Sequence, residues 1–71
     1  MPSLPPTSEF WVWTTLDGVG CRIELHKTDM HGTWEIVRFV GSHRPVRSFM
    51  EDREKLVLVG TLAGLGWKKV P

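Results

Sequence analysis

The sequence predicts a small α+β fold: an antiparallel sheet of three to five strands packed on one helix. Three observations predict it. Apolar residues recur with a period of two between Glu9 and Val40, broken by Asp17-Gly18 and by a loop ending at Gly32. From Ser48 onward a helix start signal is followed by apolar residues three and four apart. A chain of 71 residues has room for one thin core, and a helix laid across one sheet face is the simple way to close it.

The elements follow in order. Residues 1–8 are rich in Pro and Ser and have no period, so a disordered tail is expected, leaving one domain over 9–71. The tail has no basic segment and no continuous apolar stretch, and does not read as a signal peptide. Glu9 to Leu16 reads as a strand, with Phe10, Val12, Thr14 and Leu16 on one face and Trp11 and Trp13 on the other. Both faces are apolar, so the strand is either central or covered on its Trp face by another element or a partner. After the Asp17-Gly18 turn, Cys21 to Lys27 alternates as a half-buried strand: Cys21, Ile23 and Leu25 against Arg22, Glu24 and His26.

Thr33 to Val40 is the third strand. Gly41 to Arg44 reads as a tight turn, and Pro45-Val46-Arg47 as a short edge strand, where Pro is tolerated. Ser48-Phe49-Met50-Glu51 fits a capping box, with Ser48 as N-cap of a helix running to about Ala63. Leu56, Val59 and Ala63 would fall on one stripe, with Leu58, Leu62 and Leu65 beside it. Val57, Val59 and Gly60 are weak helix formers, so a buried strand at Leu56–Val59 is the rival reading. Gly64 or Gly66 would end the helix, and Gly60-x-x-x-Gly64 would let it lie close on its own sheet. Trp67 to Val70 is a short last strand.

Composition narrows the function. A single cysteine, Cys21, excludes an internal disulfide, and no apolar run approaches the ~20 residues that span a bilayer. A cytoplasmic, reducing setting is the default. Residues 1–35 hold two basic and five acidic side chains, and residues 36–71 hold seven and three. Such asymmetry makes a basic face for an anionic partner unless the halves interleave in the fold. The four Trp are many for so thin a core, so at least one is expected to be partly exposed.

Three functional readings compete. The leading one is a small non-catalytic binding protein that docks on a protein partner through Trp11, Trp13 and Glu24. By analogy of size, very small inhibitors encoded by phages or mobile elements work in this way. The second is a nucleic-acid-binding module that uses the basic hairpin over 38–47. It would use Arg38, His43, Arg44 and Arg47, joined by Lys68 and Lys69, because guanidinium forks suit phosphates and base edges. The third is an enzyme, and it rests on His43.

Two resemblances bear on the second and third readings. The stretch Gly32-Thr33-Trp34-Glu35-Ile36-Val37-Arg38, the turn, Val46-Arg47-Ser48-Phe49 and Arg53-Glu54 resembles two groups of DNA-binding domains. They are the plant ethylene-response type and the arm-binding domains of tyrosine integrases. Both lay a three-stranded sheet in the major groove, so the resemblance implies DNA contact by Arg38, Arg44 and Arg47. Residues 34–43, ending in Gly41-Ser42-His43, are similar to a segment of HicA-type toxins, which cleave messenger RNA. That similarity implies a general acid or base at His43. The aromatic expected after the His is here Pro45-Val46, and two strands stand where that family has a helix.

Metal binding is not expected, because Cys21, His26, His31 and His43 lack the paired short spacing of zinc ligands. No orienting acid or strained elbow supports a serine nucleophile at Ser42. The glycines at 60, 64 and 66 lack the Gly-Lys-Ser/Thr of a phosphate loop. No cofactor is expected. A homodimer is left open.

Overall fold

In the computed structural model, residues 8–70 are described. Most of the Pro-rich tail, residues 1–7, therefore lies outside them. The chain runs β1 (Ser8–Thr14), β2 (Gly20–Lys27), β3 (Thr33–Val40), β4 (Val46–Glu51), α1 (Asp52–Leu65) and β5 (Lys68–Val70). The strands form one five-stranded sheet in the order β4-β3-β2-β1-β5, antiparallel at every pairing. This is the α+β fold that the alternating strands and the single helical segment predict. Helix α1 leaves β4 at one edge, and β5 then pairs with β1 at the other. β1 is thus an interior strand, and the helix covers its Trp11 face while Phe10 and Val12 stay exposed on the other.

Register assigns the faces. Trp11 stands opposite Ile23, Leu25 opposite Ile36, and Trp34 opposite Met50, so these side chains share one face. With Leu62 of α1 they form the core, and Leu25 and Ile36 are fully buried. The helix packs through Lys55, Leu58, Val59 and Leu62, residues three and four apart. Of the expected stripe only Val59 packs, with Leu56 and Ala63 exposed, while Leu58 and Leu62 beside it pack and Leu65 does not. The reason is the helix composition. Apolar residues lie all round it, so its phase is chosen by the fit to the sheet.

The structure corrects three local expectations. Leu16 is not on the first strand. Thr15 accepts from Gly18 N–H at 2.9 Å, which places Leu16 fully exposed at the tip of the turn. Ser48 is not a helix N-cap. Ser48 to Glu51 continue β4, opposite Ile36 to Thr33, and this ladder together with burial of Met50 outweighs a local capping signal. The helix starts at Asp52, and its N-cap, Glu51, makes no side-chain cap hydrogen bond. Gly60 and Gly64 do not let the helix lie close on the sheet, since a Cβ added at either would meet nothing within 4 Å. The helix ends at Gly66, whose φ of 95° is left-handed. Gly66 N–H donates to Ala63 C=O and Trp67 N–H to Leu62 C=O, the paired bonds of a Schellman motif.

The two charge halves interleave. Glu9 on β1 takes Lys55 of the helix at 3.1 Å and Lys69 of β5 at 3.7 Å, and Glu35 takes Arg47 at 3.9 Å. Each pair joins an acidic residue of the first half to a basic residue of the second, so the opposite charges mix.

Candidate functional site

Alternation on the strands puts a second set of side chains on the face that α1 leaves uncovered. Reading across the register, one row holds Arg47, Val37, Glu24, Phe10 and Val70, and the next holds Phe39, Arg22, Val12 and Lys68. Phe49, Glu35, His26 and Ser8 form a third row. Phe10, Val12 and Val70 are more than a third exposed, and Phe49 is 67% exposed. The face thus carries apolar groups that no other described residue covers.

The polar groups of this face are tied to one another. Glu24, at its centre, receives Arg22 at 2.7 Å on one oxygen and His26 Nε2 at 3.0 Å on the other. A carboxylate only accepts, so Nε2 carries the proton. Nδ1 shares a hydrogen bond of 2.9 Å with the Ser8 hydroxyl. The His26 ring also meets Phe10 edge to face, with centroids 5.8 Å apart. The Arg22 guanidinium lies 4.3 Å from the Phe39 ring centroid. Two arginines of this face, Arg22 and Arg47, are therefore engaged by Glu24 and Glu35.

The residues nominated from sequence scatter. Trp11 is 6% exposed and lies in the core, where no partner reaches it. Trp13 shares its face but is 39% exposed and stacks on Trp67 at 5.8 Å. With Cys21, Arg38 and Val40 these two rings line a shallow recess beyond the end of the helix. Glu24 is on the opposite face of the sheet from both Trp residues. Arg38 points to the helix side and Arg47 to the open side of neighbouring strands. His43 and Arg44 sit exposed in the turn between β3 and β4, and among the described residues no side chain hydrogen-bonds the His43 ring. Lys68 is on the open face, whereas Lys69 is on the helix face at the far edge, beside Glu9. Among the described residues no three His, Cys, Asp or Glu side chains come together as metal ligands.

The strand alternation already grouped Phe10 with Val12, and Arg22 with Glu24 and His26. Which of the two faces the helix covers was the missing fact. Among the described residues no helix is long and apolar enough to cross a membrane. No family model, curated protein or solved structure matches this chain.

Proposed function

We propose that the chain is a non-catalytic binding protein that docks on another protein through the open face of its sheet. One observation carries the reading. Phe10, Val12, Phe49 and Val70 are exposed on this face, and two of its three cations, Arg22 and Arg47, lie beside Glu24 and Glu35, with Lys68 at the β5 edge. Apolar anchors among paired charges are the anatomy of a protein interface. A phosphate backbone instead calls for cations free to replace its counterions.

A second reading has one observation in its favour. Phe10, Phe39 and Phe49 all face outward from an open antiparallel sheet, an arrangement on which bases stack.

Affinity capture from cells that make the chain separates the two. The Phe10→Gln/Val12→Gln variant alters the open face, and Leu56→Gln/Val57→Gln alters the exposed side of α1. The protein-docking reading expects a partner held through nuclease treatment and 0.5 M salt by the parent and the helix variant, and lost by the strand variant. Loss on nuclease treatment favours nucleic acid. Loss in the helix variant alone moves the site to α1.

A further inference from the structure

The two edges of the sheet are unlike. β5 is three residues long, whereas β4 offers six, Val46 to Glu51, with no strand beyond it among the described residues. An uncovered strand of this length is a template for another strand. Its hydrogen-bonding parity follows from one contact. Asp52 N–H donates to Gly32 C=O at 3.0 Å, so these residues form a hydrogen-bonded pair across the ladder. Alternation then turns the main chain of Met50, Ser48 and Val46 toward β3, and that of Arg47, Phe49 and Glu51 outward.

We propose that β4 pairs antiparallel with β4 of a second copy of the chain, in the register that sets Phe49 opposite Phe49. The strand is self-complementary in this register. Arg47 falls opposite Glu51 of the other copy, twice by symmetry, and both lie on the open face. The two Phe49 rings, each 67% exposed in the single chain, meet at the two-fold axis. Met50 falls opposite Ser48 on the helix face. The outward main-chain groups match as well. The Phe49 pair exchanges two hydrogen bonds, and Glu51 N–H donates to Arg47 C=O at each end. Centring on Ser48 instead sets Arg47 opposite Phe49 and leaves Glu51 facing Pro45, which has no N–H to give. Helix α1 departs from β4 across its own sheet and leaves the edge clear. The open faces of the two copies become one continuous surface. The pairing does not depend on what binds that surface.

A single strand pair buries less than the ~1,600 Å² of a standard interface, so the dimer dissociates on dilution. Sedimentation velocity between about 10 µM and 1 mM reads it. The parent is expected to move from the 8.1 kDa chain toward twice that mass. Arg47→Glu and Glu51→Arg each set like charges opposite one another, and each alone is expected to remain monomeric. Their equimolar mixture sets a doubly acidic strand against a doubly basic one and is expected to dimerise. Both substitutions lie outside the core, since Arg47 is 69% exposed and Glu51 makes no side-chain cap bond; because Arg47→Glu faces Glu35 and Glu51→Arg meets the helix N-terminus, the fold of each variant is checked by circular dichroism. Amide exchange on the parent gives a test without variants, with the Phe49 and Glu51 N–H groups gaining protection as concentration rises. A parent that stays monomeric at 1 mM overturns the proposal. So do single variants that dimerise like the parent, a mixture that does not, or protection gained at β5 instead.

Discussion

Lys55 is the cation that ties the helix to the sheet. Its Nζ lies 3.1 Å from Glu9 Oε1 and 4.1 Å from the centroid of the Trp34 ring. The two charged side chains are only 13% and 14% exposed, so water screens the pair little. Lys55→Met keeps the apolar stem and removes the charge. It leaves a mostly buried carboxylate, whose second oxygen already has no hydrogen-bond partner among the described residues. Breaking a buried pair from one side typically costs ~3–5 kcal/mol. Lys69 at 3.7 Å, itself half exposed, still faces Glu9 and lowers that figure. Losing the contact with Trp34 adds ~0.5–1 kcal/mol. With the half-exposed Lys69 contact offsetting at most ~1 kcal/mol, the expected loss is about 2.5–5 kcal/mol, a large part of the ~5 kcal/mol available to so small a domain. Urea denaturation followed by Trp fluorescence measures it. Adding Glu9→Leu should recover most of the loss, because an apolar pair of similar volume replaces the ions. A loss under about 0.5 kcal/mol, or one that Glu9→Leu deepens additively, would refute the reasoning.

Two further outcomes follow from packing. Gly60→Ala and Gly64→Ala should each stabilise the fold by ~0.5–1 kcal/mol, since the new methyl meets open space in a regular helix, while Gly66→Ala at φ 95° should destabilise it by ~1 kcal/mol, all read from urea midpoints. Trp34→Phe should cost more than Trp11→Phe in the same assay, because Trp34 Nε1 donates to Asp52 at the helix start whereas the buried Trp11 Nε1 has no hydrogen-bond partner among the described residues.

Much of the sheet was legible because its signals are local. Cys21 to Lys27 and Thr33 to Val40 alternate in the sequence as they do in the structure, and Asp17-Gly18 lies in the turn it announces. Ser48 shows where local reading stops. Its capping pattern is genuine chemistry, but the competing ladder with β3 is a contact between segments more than ten residues apart, and the ladder prevails. The phase of α1 was not legible, because Leu56, Val57, Leu58, Val59, Leu62 and Leu65 surround it with apolar groups. The site was obscured for a related reason. Trp11 and Trp13 offered themselves as a docking surface, yet Trp11 joins Trp34 in the core under the helix, and only Trp13, stacked on Trp67, stays partly exposed. That covering hands the role of exposed surface to the Phe residues on the opposite face.

The open face is the proposed seat of a protein partner. Photo-crosslinking tests it most directly, with benzoylphenylalanine placed at Phe10 on the open face and, separately, at Leu56 on the outer side of α1. A crosslinked protein adduct, unchanged by nuclease, is expected from position 10 and none from position 56. Adducts from position 56 alone, or nuclease-sensitive adducts from position 10, would contradict it.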